Sequence, residues 1–384
     1  MTFLYILLAL LVFGLLVMIH ELGHFLIARL FGVGIREFSI GMGPKLFSWK
    51  GKKRWGEPVP EDEREKEPEV PPVAFDENEP TPEPKEPEDY RTTYSLRLLP
   101  IGGYVSMVGE DEESDHPAAF GQKNVWKRIA IVVAGAFMNI LLGFLLMLML
   151  VLITKTPDGE IALASNVVAE FDENATSNQW LQENDVITHV NGTRVHTGNE
   201  VIYEIMNQGY QPLDITVERN GEEICFTGVV FPGMEAEGIS FGDADFKVYR
   251  EEAGFGTVLK HTFFRSISTV KMIFDQLGDL LTGRFGFNAV SGPIGITEEM
   301  GNAAKSGFSN FLYLVIVITI NLGVFNLLPI PALDGGRLLF LLIEAIIRRP
   351  VNPKVEGYIH FAGLMILFGI MILVACKDIA GLFV

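Results

Sequence analysis

Cysteine is nearly absent. Only Cys225 and Cys376 occur in 384 residues, far apart and in no metal-binding spacing, which excludes a disulfide framework or a zinc ribbon. Charge is missing from long stretches as well. Nothing charged or strongly polar lies between Phe3 and His20, and residues 129–153 carry one amide, Asn139, among 25 residues. No Lys or Arg precedes the first of these stretches and no small-residue cleavage site follows it, so it is expected to be retained and not removed as a signal peptide.

Acid is abundant. The formal net charge is −18 although 48% of residues are hydrophobic, so the two kinds of residue must be segregated. Residues 57–90 alone hold 14 Asp/Glu, 3 Lys/Arg and 9 Pro, and without them the net charge is −7. With few large apolar residues to bury, this insert is expected to be disordered and extended. The acidity is local and says little about partners; none is expected to be a nucleic acid.

Four apolar stretches are long enough to cross a bilayer of about 30 Å. The expected spans are 1–31, 127–153, 311–347 and 356–378, the third broken at "NLLPIPALDGG". Arg29, Arg36, Lys45, Lys50, Lys52, Lys53 and Arg54 follow the first span. Lys123, Lys127 and Arg128 stand at the start of the second, and Arg337, Arg348, Arg349 and Lys354 separate the apolar body of the third from the fourth. The bias of basic loops toward the cytoplasm then places both termini outside and residues 32–126 inside.

Within the first span stands "HELGH", residues 20–24. An ionisable residue in hydrocarbon costs about 3 kcal/mol or more, so three together demand a reason. His20 and His24 are four apart and share one helix face. His-Glu-x-x-His on a helix is a zinc protease signature, in which two imidazoles bind metal and the glutamate takes a proton from water. A hydrolytic zinc needs a third protein ligand, for which Asp334, Glu344 and His360 are the candidates near the bilayer. Depth favours Asp334. His20 lies about 17 residues, or about 26 Å, into the first span, and Asp334 lies at a similar level in the third. Pro329 and Pro331 break the helix just before it, and such irregular backbone is tolerated at membrane depth where it lines a cavity. Glu344 lies nearer the cytoplasmic exit, and His360 reads as an interfacial histidine.

"HELGH" with "NLLPIPALDGG" resembles the site-2 protease family of intramembrane zinc metalloproteases, in particular bacterial members carrying a PDZ domain, over almost the whole chain. The resemblance implies that His20, His24 and Asp334 bind Zn2+, that Glu21 is the general base, and that Asn326, Pro329 and Pro331 contact substrate backbone. It implies an enzyme of the bacterial cytoplasmic membrane, with its site near the cytoplasmic side, that cuts single-pass transmembrane proteins such as anti-sigma factor stubs and remnant signal peptides. "AGAFMN" in the second span is similar to a family Ala-Gly-x-x-x-Asn pattern, but Asn139 there reads as a helix–helix hydrogen bond.

The expected fold is therefore a four-helix multi-pass membrane protein with a cytoplasmic membrane-associated β segment and one extracytoplasmic PDZ-like α+β domain. The β segment comprises "EFSIGMGPKLFSW" and "TTYSLRLLPIGGYVSMVG", where Tyr94, Leu96 and Leu98 partly alternate with polar neighbours. In similar family members such segments form a short sheet to which an unwound substrate could add a strand. Residues 157–234 form the outer module, with a strong hairpin signal at Asn220-Gly221. They are similar to the second half of a PDZ domain but lack a clear Gly-Leu-Gly-Phe loop, so filtering by size competes with peptide binding. Residues 253–300 read as an amphipathic connection, with "VSGPIGI" a turn. The alternative to an enzyme is an inactive scaffold recruiting partners through the PDZ-like module; against it, a decayed site should have lost Glu21 or a ligand.

Overall fold

A computed structural model describes residues 2–55, 91–110, 114–236, 239–286 and 290–381; the acidic insert 57–90 lies outside the described residues. In chain order these form α1 (Thr2–Leu30), β1 (Ile35–Arg54), β2 (Arg91–Met107), α2 (Val125–Ile153), β3 (Ala164–Phe171), β4 (Val186–Val190), β5 (Thr193–Arg194), α3 (Gly198–Gln208), β6 (Leu213–Arg219) and β7 (Glu222–Val229). There follow β8 (Gly233–Ala236), β9 (Ile239–Gly242), β10 (Phe246–Arg250), α4 (Phe255–Thr282), α5 (Pro293–Ser306), α6 (Phe308–Leu327), α7 (Asp334–Ile347) and α8 (Pro353–Gly381). Among the described residues four helical stretches are long and apolar enough to cross a membrane: Tyr5–Leu30, Val125–Ile153, Phe308–Leu327 and Pro353–Ala380. The expected third span, 311–347, is two helices, α6 and α7, separated by a six-residue link.

The chain divides into two compact units. One comprises Met1–Ala9, Asn139–Phe325 and Gly363–Val384. Its six-stranded sheet has the order β10-β3-β4-β6-β7, with β5 on β4. Val168, Ile187, Val190, Ile215 and Val217 of the strands pack on Val201 and Ile205 of α3. Asn191-Gly192 and Asn220-Gly221 all take positive φ, as a tight two-residue hairpin turn requires. The module runs on past residue 234, because β10 pairs with β3. On α4, Phe255, Leu259, Phe263, Ile267, Phe274 and Leu281 are exposed along one side, while Lys271 pairs with Glu204 of α3 and Asp275. The "VSGPIGI" run opens a helix: Gly292 caps α5 and Pro293 is its first residue. The Asp378 carboxylate accepts hydrogen bonds from the Gly292 and Gly295 N–H groups at 3.1 and 3.0 Å. A Cβ on Gly292 would fall 2.7 Å from that carboxylate, which accounts for the glycine.

The other unit comprises Leu10–Met138 and Asn326–Ala362. Here α1 crosses α2 closely. A Cβ on Gly23 would lie 2.7 Å from the Ala134 carbonyl carbon, and one on Gly135 would lie 2.7 Å from His20 Nε2 and nearer still to His24 Nε2. Small residues allow this approach, since dispersion between close helices replaces the hydrophobic drive that is missing in lipid. Below the crossing, Phe25, Ala28, Val33, Ile35, Phe38, Met107, Phe120, Ile131 and Leu341 form a buried core.

Strands β1 and β2 each fold back on themselves. Residues 35–40 pair with 103–107 on one side and with 93–96 on the other, while 45–54 pair with 91–97. The result is four antiparallel segments in which 103–107 forms one edge. Gly41, Gly43 and Gly102, all with positive φ, turn the chain at the bends. Glu37 is central to this sheet. It accepts hydrogen bonds from Ser95, from Lys45 at 3.1 Å and from Arg97 at 3.0 Å, and Arg97 also donates to Ser39 and Gly43. Partial burial pushes the Glu37 carboxyl upward, but the donors outweigh it and hold the group down at about 2.

Two expected outcomes follow from this packing. Gly135→Ala should cost about 1–3 kcal/mol by overpacking the helix crossing and splay the two imidazoles, read as a lower unfolding midpoint in micelles together with weaker retention of any metal they hold. For Glu37, a lowered folded-state pKa means its stabilisation is full above the ordinary value of 4.5 and fades as pH falls from there through about 2. Glu37→Gln should therefore be less stable than the parent at neutral pH, with the gap between their thermal midpoints closing across that window.

Candidate metal centre

The approach to the centre is set by α1. His20 and His24 sit on one face, a turn apart, and both are buried; their rings meet edge to face with centroids 4.8 Å apart. The His24 Nδ1–H donates to the Ile131 carbonyl at 2.8 Å, a bond available because α2 crosses so closely. A carbonyl only accepts, so this bond fixes the tautomer and leaves His24 Nε2 as a lone pair.

Asp334 comes from the far end of the chain. After α6 ends, Pro329 cannot continue a helix, and the link turns tightly, with Ile330 N–H to Leu328 O at 2.6 Å and Leu333 N–H to Ile330 O at 3.2 Å. Ala332 takes φ 77°, a left-handed conformation that costs a residue with a Cβ about 1–2 kcal/mol. Asp334 is then the first residue of α7, where the unpaired N–H groups and positive dipole end favour a carboxylate. The two glycines that follow are needed sterically. A Cβ on Gly335 would fall 2.6 Å from the Leu327 carbonyl carbon, and one on Gly336 would fall 2.7 Å from the Ile330 oxygen.

The three side chains converge. Asp334 Oδ2 lies 2.9 Å from His20 Nε2 and 3.2 Å from His24 Nε2, and the two ring nitrogens are 3.2 Å apart. Ligands at about 2.0–2.1 Å from a tetrahedral zinc are separated by roughly 3.3 Å, so this triangle has the size such an ion requires. Its chemistry fits as well: a lone-pair nitrogen set by Ile131 and a carboxylate oxygen face one point, an arrangement that suits a divalent cation. Among the described residues this is the one group of three such side chains able to share an ion.

Glu21, between the histidines, accepts a hydrogen bond at Oε2 from the Val105 N–H at 3.0 Å. That N–H points outward from the edge segment 103–107, so the sheet edge runs beside the carboxylate. The same edge is tied to α7: Met107 N–H donates to Glu110 at 3.3 Å, and Arg337, one turn after Asp334, donates to Glu110 Oε1 at 2.6 Å and to its carbonyl at 2.8 Å. The Arg337 guanidinium lies over the Phe120 ring.

Of the three candidates for a further ligand, Glu344 is engaged elsewhere, paired with Arg128, and His360 turns its Nδ1 to the Ala332 N–H at 3.1 Å. Asn326 lies in the last turn of α6; Pro329, exposed, and Pro331, half-buried, lie in the link. These three border the turn before Asp334 and contribute no atom to the triangle. Reading the sequence missed Gly135, Val105, Glu110 and Arg337. "AGA" at 134–136 was a usable signal for close helix contact, whereas nothing local marks Val105.

The chain matches peptidase family M50 over residues 8–55 and 86–370, so the match skips most of the acidic insert. It is 30% identical to the "Regulator of sigma-W protease RasP" of Bacillus subtilis, over 97% of each chain. It is 29% identical to the zinc metalloprotease RasP of Bacillus licheniformis, over 97% of this chain and 98% of that one. A Clostridium perfringens relative is 32% identical across 98% of both. With four apolar helices and a match over most of its length, the chain belongs to peptidase family M50 and is a multi-pass membrane zinc metalloprotease of the site-2 type.

Proposed function

We propose that His20, His24 and Asp334 hold the zinc and that Glu21 is the general base of an endopeptidase cutting single-pass helices within the membrane. The observation that carries this reading is the meeting of three donor atoms, from helices more than 300 residues apart, within 4.8 Å of one another. When bound, zinc supplies Lewis acidity, polarising a peptide carbonyl and lowering the pKa of water. Glu21 takes a proton from the attacking water at its carboxylate and passes it to the departing amine nitrogen. Val105 holds Glu21 in place through its N–H.

A transmembrane substrate is helical, its carbonyls occupied, and must unwind before it can be cut. The outer side of segment 103–107 runs beside Glu21, and an unwound substrate adds there at backbone groups other than the Val105 and Met107 N–H, which Glu21 and Glu110 take. Met42, Leu46, Phe47, Trp49, Leu98 and Leu99, all exposed on the same sheet, suit contact with lipid or an apolar substrate. Asn326, Pro329 and Pro331, next to the turn before Asp334, contact the substrate backbone. Family membership points to the bacterial cytoplasmic membrane, and the basic-loop bias puts both termini outside and the site near the cytoplasmic side, with residues 157–234 an outer PDZ-like module that filters ectodomains by size or binds peptides. The B. subtilis relative's name refers to sigma-W regulation, which favours anti-sigma factor stubs among the substrates, with remnant signal peptides another class.

Glu21→Gln should lower cleavage of a model transmembrane substrate in proteoliposomes by about 100- to 10,000-fold while zinc content stays at one ion per chain. Unchanged cleavage would refute the assignment of Glu21. Membranes carrying the variant should accumulate transmembrane stubs, identified by comparing membrane proteomes with and without the substitution.

A further inference from the structure

The turn before Asp334 contains a backbone group that needs a partner and a conformation that needs support. Ala332 holds φ 77° without being glycine, and its N–H is released from helical pairing by the break at Pro329 and Pro331. At membrane depth that N–H needs an acceptor, from protein or from water in a cavity. It finds one in α8: the N–H donates to His360 Nδ1 at 3.1 Å. His360 is otherwise set among apolar groups. Its ring lies 5.8 Å from that of Phe340, and a Cβ on Gly336 would fall 3.2 Å from its Cε1. On its own helix the neighbouring Tyr358 and Phe361 face outward and are exposed, whereas the imidazole is turned toward the link before Asp334. As an acceptor at Nδ1 the ring carries its proton on Nε2, with Glu356 Oε1 3.9 Å away.

We propose that His360 is a positioning residue for the metal centre: its Nδ1 fixes the Ala332 turn, which presents Asp334, two residues on, to His20 and His24. Asp334 has little freedom of its own, since Gly335 and Gly336 press the start of α7 against the link. Its carboxylate is therefore aimed by whatever fixes residues 328–333. This inference rests on the reading of Asp334 as a zinc ligand and goes beyond it by assigning the fourth span a part in holding the ion.

The test compares acceptors at one position in the full-length protein, reading zinc retention against a chelator alongside kcat and KM. Asn places its Oδ1 as many bonds from Cα as Nδ1 is, Gln places its oxygen one bond further, and Phe keeps the ring without an acceptor. His360→Phe and His360→Gln should lose about tenfold or more in zinc affinity, the effect of removing an outer partner of a ligand, with kcat falling more than KM rises. His360→Asn should stay within a few-fold of the parent. Adding Ala332→Gly to His360→Phe should restore part of the zinc affinity, because glycine holds positive φ without a brace. Equal zinc retention in the Phe variant and the parent, or an Asn variant no better than Phe, would overturn the proposal. If His360→Phe fails to fold, Asn against Gln decides. Asp334→Asn, run in parallel, separates the two claims: zinc retained there sinks the ligand assignment, whereas zinc lost there with no effect at His360 sinks only the brace.

Discussion

Two imidazoles and a carboxylate meet on apolar helices, and much of the second unit can be understood as making that meeting tolerable. A polar group in hydrocarbon is expensive unless it finds a partner. Here the partners are close and specific. Ile131 takes the outer nitrogen of His24, Val105 takes Glu21, and Asp334 sits where a helix dipole favours it. The pattern continues outward, for Arg337 satisfies Glu110 and Arg128 satisfies Glu344. Helix α2 can supply Ile131 only because Gly23 and Gly135 bring its backbone against α1, so packing and electrostatics share one cause.

The same constraint explains which parts were legible. The spans and the His-Glu-x-x-His face are local properties, each written in a single run of residues. Depth in a bilayer converts residue count into position, so Asp334, and not Glu344 or His360, is expected level with the histidines, and the structure brings it beside them. The prolines announced a break in the third span, but not that Asp334 would begin a new helix. What stayed hidden depends on contacts distant in the chain. Val105 is an unremarkable strand residue until the edge it forms is laid beside α1. The "VSGPIGI" run looks like a turn until Asp378 is placed on its glycines.

The folded-back strands were hidden for a further reason. A two-residue period marks a strand but not its partners, and residues 35–40 lie between two stretches of β2, 93–96 and 103–107. The bends require positive φ at Gly41, Gly43 and Gly102, and glycine count alone does not separate a bend from a bulge. Arg97, a lone basic residue in an apolar run, is explained by Glu37, which sits 60 positions away and on the other side of the insert.

Irregular backbone occurs on both sides of the metal centre: the sheet edge at 103–107 and the proline link at 328–333. Each contains backbone groups that a continuous helix would have consumed, and lipid would not tolerate them unless protein or substrate satisfied them. A site lined only by helices would have no free edge against which to hold an unwound chain. Zinc ligation needs the opposite property, rigidity, because a ligand displaced by 1 Å no longer serves the same ion. The chain meets both demands by placing a strand edge, part of it held by Glu21 and Glu110, on one side while fixing the other with glycine contacts, a strained alanine and an ion pair. The break in the third span is therefore a means of placing a carboxylate, and rigid contacts around it are what a hydrolase working at membrane depth requires.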